Sequence, residues 1–241
     1  IKKKAGFICD MDGVIYHGNR ILDGVAEFIN WLIDNGKQFV FLTNSPEKTP
    51  QELSMKLARM GLQVSADHFY TSAMATAEFL HSQKPDCTAY VIGEAALTKA
   101  LYDHGIYMND VNPDYVVVGE GRTYTLDTIT KATNLVLGGA KLIGTNPDTT
   151  GPTEAGIMPA TGALVAPIER TTGKQAYYVG KPNPLMMRTA LSTNLYLPAR
   201  PASLSFSPIS RGVTMRRSDP TDAFTSVRKA RSGLEYPKRS T

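Results

Sequence analysis

The sequence predicts an α/β fold: a doubly wound parallel-sheet core carrying a second, inserted α/β unit. Three observations support this. Short β-rich apolar runs alternate with helical stretches over most of the first 191 residues. Two of those runs close on polar, chemistry-bearing residues, at the strand ends where open parallel sheets place their ligand crevice. The alternation also changes rhythm near residue 83, and a single sheet holding every run would be unusually wide.

Taken in order, AGFIC (5–9) and QFVFL (38–42) are apolar and β-rich, as buried parallel strands are. Between them Val25, Phe28, Ile29, Leu32 and Ile33 recur at helical spacing, and Gly36 supplies a stop. In TPQE, Thr49 caps a helix, Pro50 takes its first position and Glu52 reaches back to the cap. That helix closes near Gly61. AYVIG, a helix through Leu97 and Leu101, YVVVG, a helix through Leu126, Ile129 and Val136, and KLIG continue the series. AYYVGKPNP then reads as a further core strand, followed by a core-facing helix around LMMRTAL. The expected organisation is a core in two parts, 1–82 and 177–191, an inserted α/β cap over 83–176, and an atypical basic tail over 192–241.

The chain has 241 residues, 42% hydrophobic and 20% charged, the make-up of a globular protein with a sizeable core. No apolar run approaches the roughly 18 residues that span a bilayer, and no signal-peptide pattern opens the sequence. Cys9 and Cys87 are the only cysteines, which fits a reduced, cytoplasmic setting. The formal charge is +4, but residues 192–241 hold nine Lys/Arg and three Asp/Glu, so the tail carries +6 and the rest −2. A nucleic-acid reading of the whole chain loses its main support, and the tail has no aromatic-basic platform for RNA. The tail also holds five of the 15 prolines and nine serines without a clear period, a composition expected to be loosely ordered.

GFICDMDGVIYHG, residues 6–18, sets Asp10 and Asp12 one residue apart at a strand end, with Gly13 next. Turn chemistry is one reading of this. The other is a site: one carboxylate a nucleophile, its neighbour a proton shuttle, with a hard cation such as Mg2+ to relieve their repulsion. FLTNSP ends the next strand with Thr43 and Asn44, whose hydroxyl and amide can donate to phosphate oxygens or simply form a polar turn. In VGKPNP, Lys181 follows an apolar strand. Buried there it needs anionic company; exposed, it is an ordinary loop lysine. His17 is read as peripheral, in a flap beside the acids, and Cys9 as packed in its strand. Asp148 in TNPDTTG either lines a substrate-facing loop or has no role.

In this order the segments resemble the haloacid dehalogenase superfamily: DMDGV, LTN and GKP match its first three motifs. TSAMATAEFL, NPD, GKPNP and the inserted α/β segment are similar to its NagD-type branch, over about residues 5–191. The resemblance implies a Rossmann-like core with an α/β cap. It implies that Asp10 attacks phosphorus to form an aspartyl-phosphate, and that Asp12 protonates the leaving alcohol and then activates water. Asp10 and the backbone carbonyl of Asp12 would hold Mg2+, Thr43 with Asn44 nearby would bind the phosphoryl group, and Lys181 would stabilise the charge. A complete member would continue with a strand ending in Gly-Asp and a further aspartate that complete the metal site, near residues 204–209, where this chain reads LSFSPI. No Gly-Asp follows Leu191, and Asp219 and Asp222 come late, after two arginines. The tail is therefore not expected to supply the missing acids.

The expected activity is a phosphatase for small phosphate monoesters, such as nucleoside monophosphates or para-nitrophenyl phosphate. The alternative is an impaired relative that binds phosphate ligands without efficient turnover. The expected partner is a small phosphorylated metabolite, with no membrane or nucleic acid and with self-association left open.

Overall fold

The structure, a computed structural model, describes residue 4, residues 6–153 and residues 156–193. Apart from two residues that end the last helix, the tail, with Asp219, Asp222 and LSFSPI, lies outside the described residues. The chain runs through β1 (Gly6–Asp10), β2 (Tyr16–His17), β3 (Arg20–Ile21), α1 (Val25–Asp34), β4 (Gln38–Thr43), α2 (Pro50–Arg59), β5 (Phe69–Thr71) and α3 (Ser72–Gln83). It continues with β6 (Thr88–Ile92), α4 (Ala95–Asp103), β7 (Tyr107–Met108), β8 (Tyr115–Val118), α5 (Leu126–Leu137) and β9 (Lys141–Gly144). Then follow β10 (Thr150–Thr153), β11 (Gly156–Pro159), α6 (Thr161–Thr172), β12 (Tyr177–Tyr178) and α7 (Pro184–Thr193). Among the described residues no helix is long and apolar enough to cross a membrane.

Two parallel sheets result. One has the order β1-β4-β5 and the other β12-β9-β8-β6-β7. The continuous apolar runs are explained by burial on both faces. In β4, Phe39 and Phe41 pack with Phe7, Ile29, Leu32 and Leu57, while Val40 and Leu42 enter a different cluster. In β8, Val117 faces the cluster of Val40 and Leu42, and Val116 and Val118 face Ala132 and Val136 of α5. The predicted cap at Thr49 is present: its hydroxyl accepts from Glu52 N at 3.2 Å and Glu52 returns to Thr49 N at 2.7 Å.

Some expectations need correcting. The strand in AYYVGKPNP, assigned to the core, is β12 and pairs with β9 in the second sheet, Tyr177 opposite Ile143 and Tyr178 opposite Gly144. Ile33 and Leu126 match the helical period yet are 50% and 77% exposed, because each lies at the border of its apolar stripe. Nor are the sheets joined by linkers alone. One apolar cluster runs from Val40, Leu42 and Tyr70 through Ala73, Ala77 and Leu80 of α3 to Val117 and Ile143.

The start of α6 packs on the loop after β9. A Cβ added at Gly162 would stand 2.5 Å from the Pro147 carbonyl oxygen and 3.0 Å from that of Asp148. Both obstacles are backbone and cannot turn aside. Gly162→Ala is expected to lower stability by about 1–3 kcal/mol, read as a drop in the urea midpoint at unchanged slope.

Candidate active site

Asp10 closes β1, and an extended chain places residues two apart on the same side. Met11 between the two acids is fully buried, and its carbonyl accepts from Val14 N at 3.1 Å and Ile15 N at 2.8 Å. The buried methionine thus leaves Asp10 and Asp12 on the exposed side together. Gly13 follows at φ +74, with open space where a side chain would stand, so the turn asks for left-handed backbone rather than small size. The register sets Asp10 opposite Leu42, one residue before Thr43 at the end of β4. Thr43 is buried; its hydroxyl donates to Asp12 Oδ2 at 3.4 Å and accepts from Ser45 N at 3.1 Å.

Lys181 reaches this mouth from the far end of the chain. Its ammonium donates to Asp10 Oδ1 at 2.5 Å and to the Leu42 carbonyl at 3.2 Å. Met11 N also donates to Asp10 Oδ1, at 2.8 Å. Asn44 sets the Lys181 backbone. Its side-chain oxygen accepts from Lys181 N at 2.8 Å, and its amide nitrogen donates to the Lys181 carbonyl at 3.0 Å and to Asp148 Oδ2 at 2.7 Å. Both amide hydrogens are therefore committed. In this structure the Asn44 side chain positions Lys181 and ties in Asp148. Asp148, for which two readings stood open, is that amide's second acceptor.

A further group lies beyond Asp12, and the sequence analysis missed it. Burial, followed by the Asp12 charge, pushes the Tyr16 phenol upward. Lys56 of α2 stands with Nζ 3.7 Å from the centroid of the Tyr16 ring. Burial pulls its ammonium down and the Asp12 charge pushes it up. Asp12, Tyr16, His17 and Lys56 line a pocket of about 110 Å3, together with Pro152 and Thr153 of the β10–β11 hairpin. His17, expected in a flap beside the acids, lines this pocket. No linear signal marks Lys56, which reads as one more charge on an amphipathic helix. Cys9 is packed as expected: burial, then the charge of Asp10, pushes its thiol up to about 12.

The comparisons with known proteins bear on the same elements. The family described as haloacid dehalogenase-like hydrolase matches residues 7–107. A dihydroxyacetone phosphatase from Corynebacterium glutamicum (strain R) is 49% identical over 187 residues, covering 78% of this chain and 68% of that protein. The chain belongs to the haloacid dehalogenase-like hydrolases. Within that family, the ribonucleotide monophosphatase NagD of Escherichia coli (strain K12) is 49% identical over 185 residues, 77% of this chain and 72% of NagD. The solved NagD structure superposes with a TM-score of 0.74, covering 79% of this chain and 75% of that one at 46% identity. A thermostable NPPase double mutant from Geobacillus stearothermophilus reaches 0.75 at 37% identity, covering 79% and 76%.

Phosphatases of this family are generally metal-dependent, and the donors here suit a hard cation. Asp10 offers a carboxylate oxygen at the end of β1 and Asp12 a backbone carbonyl just beyond it, hard oxygens of the kind Mg2+ accepts while keeping several waters. Among the described residues no three His, Cys, Asp or Glu side chains gather to hold a metal.

A carboxyl group the sequence reading did not single out lies behind Asn44. Asn146 donates to the Asn44 carbonyl at 2.9 Å and to Glu120 Oε1 at 3.2 Å. Burial, chiefly, and the charges of Glu47 and Asp148 push Glu120 up to about 7, against hydrogen bonds from Asn146 and the Thr161 backbone. The sign follows from linkage. An unfolded Glu120 ionises near 4.5 while the folded one keeps its proton until about 7, so its contribution to stability falls between those values and is flat above them. Glu120→Gln is expected to match the wild type at pH 4 and exceed it at pH 8 in chemical denaturation.

Proposed function

We propose that this chain hydrolyses small phosphate monoesters through an aspartyl-phosphate formed on Asp10. The observation that carries the reading is the Lys181 ammonium held 2.5 Å from Asp10 Oδ1, with Asp12 and Thr43 at the same mouth. Lys181 and Met11 N both hold Oδ1, which leaves Oδ2 to attack phosphorus. The P–O bond to the alcohol breaks as the new one forms, and Asp12 gives its proton to the departing oxygen. Asp12 then takes a proton from the water that cleaves the acyl phosphate, releasing inorganic phosphate and free Asp10. Thr43 donates to a phosphoryl oxygen, and Lys181 offsets the charge gathered on phosphate and nucleophile. Asp10 and the backbone carbonyl of Asp12 would hold Mg2+, which supplies positive charge to the phosphoryl oxygens.

In this proposal the first sheet supplies Asp10, Asp12 and Thr43, the segment after β12 supplies Lys181, and the inserted segment supplies substrate choice, since Pro152 and Thr153 close the pocket beside Asp12. Similar proteins are named for small phosphate esters, a dihydroxyacetone phosphatase and a ribonucleotide monophosphatase among them. The proposed partner is a small phosphorylated metabolite and the proposed setting the cytoplasm. A second reading, phosphate binding with impaired turnover, is favoured by the absence of a Gly-Asp after Leu191.

Steady hydrolysis of para-nitrophenyl phosphate with Mg2+, lost on chelation and abolished in Asp10→Asn, is the expected result. Phosphate binding without turnover would instead support the second reading. Asp12→Asn is expected to cost about 10²–10⁴ in rate with poor leaving alcohols and far less with para-nitrophenol; equal losses across leaving groups would remove Asp12 from that role. Asn44→Ala is expected to lower kcat by about tenfold or more through misplacement of Lys181, with Thr43 untouched.

A further inference from the structure

Four strand ends converge behind Lys181, and one buried amide ties them together. Asn44 follows β4, Glu120 follows β8, Asn146 follows β9 and Lys181 follows β12. Asn146 is fully buried. Its side-chain oxygen accepts from Asp148 N at 3.1 Å, and its nitrogen donates to the Asn44 carbonyl at 2.9 Å. Turning the amide over would set oxygen against oxygen and N–H against N–H, so the partners fix its orientation. The second hydrogen is shared among the Thr161 hydroxyl at 3.1 Å, Glu120 Oε1 at 3.2 Å and the Thr145 hydroxyl at 3.5 Å.

Both groups that Asn146 grips toward the site belong to the clamp on Lys181. The Asn44 side chain holds the Lys181 N–H and carbonyl, and Asp148 accepts from the same amide. Asn146 also abuts the residue before Lys181, since a Cβ added at Gly180 would stand 2.8 Å from the Asn146 Cβ. The Asn44 carbonyl has another donor, the Ser72 hydroxyl at 2.5 Å. The Asn146 contact therefore orients that carbonyl rather than satisfying it alone.

We infer that Asn146 is a positioning residue: by holding the Asn44 carbonyl and the Asp148 backbone it aims the Asn44 amide, and so places the Lys181 ammonium on Asp10. The inference rests on the phosphatase reading for its effect on turnover, but the placement can be read without turnover. The variants are Asn146→Asp, Glu120→Gln and the two together. Asn146→Asp keeps the shape and the acceptor for Asp148 N, but it sets a carboxylate oxygen against the Asn44 carbonyl and the Glu120 carboxyl. Adding Glu120→Gln gives that carboxylate a donor and leaves the Asn44 contact unmade. The pair thus separates stability from positioning.

Three quantities are measured: the urea midpoint, kcat for para-nitrophenyl phosphate with Mg2+, and the NMR signal of the Lys181 ε-methylene, assigned by its loss in Lys181→Arg. Asn146→Asp should lower the midpoint and the double variant should recover it. The kcat of the double variant should stay about fivefold or more below that of Glu120→Gln, the scale of one hydrogen bond, with the Lys181 signal displaced. Recovery of kcat together with the midpoint overturns the inference, because Asn146 would then be structural and Ser72 sufficient. Loss of kcat with the Lys181 signal in place overturns it as well. Should the double variant stay unstable, Asn146→Ala carries the kcat and Lys181 readouts, and a wild-type result in either overturns the inference. If the wild type does not hydrolyse the ester, the Lys181 signal decides. Displaced in the double variant, it leaves the positioning role standing while the phosphatase reading fails; unmoved, it overturns the inference.

Discussion

Two like charges stand at the mouth of β1, and the cation that offsets one of them arrives from 171 residues further along the chain. The entropy of closing so long a loop grows only slowly with its length. A half-exposed ion pair nevertheless contributes too little to hold the ends together by itself. Other contacts must bring Lys181 to Asp10. Asn44 does so by pairing with both the N–H and the carbonyl of Lys181. Gly180 makes that approach feasible, since a Cβ there would stand 2.6 Å from the Thr145 carbonyl oxygen and 2.8 Å from Asn44 Oδ1. Electrostatics at Asp10 therefore depends on close backbone packing one residue from Lys181.

The second sheet supplies the return path. β9 and β12 are parallel neighbours, so the segments leaving them emerge side by side. Val179 N donates to the Gly144 carbonyl at 3.1 Å and Gly180 N to that of Thr145 at 2.8 Å, carrying the pairing past the strands. Asp148 and Lys181 thereby reach the same amide of Asn44 from adjacent directions. The loop bearing Asp148 also leads into the hairpin that covers Asp12. One sheet edge thus serves both the charge at Asp10 and the shape of the space beside its partner.

Much of this was legible in the sequence where a local rule acts alone. The box at Thr49, the doubly buried strands and the position of the paired aspartates follow from capping, apolar runs and strand-end chemistry. Other elements were hidden for physical reasons. The helix α3 buries Ser72, Ala73, Ala75, Thr76, Ala77 and Leu80, so it lacks a single apolar stripe to detect. The helix α6 contains Gly162 and Pro167, which local propensity disfavours and packing overrides. At the site, Asp10, Asp12, Thr43 and Lys181 could be singled out because each ends or follows a strand. Asn44 stood beside Thr43 with the right chemistry, but its amide is claimed by residues more than a hundred positions away. Lys56 carried no signal at all, because only the tertiary fold sets it over Tyr16.

The apolar cluster that crosses α3 also determines how the molecule comes apart. Val40, Leu42 and Tyr70 of the three-stranded sheet and Val117 and Ile143 of the five-stranded one belong to a single buried cluster that α3 also enters. Neither sheet can shed the other without wetting a shared interior, and local opening is cheap only where few such contacts are lost. The insertion is therefore not a hinged lid on a finished domain. It shares a buried interior with the three-stranded sheet, and that shared interior favours unfolding of the two together.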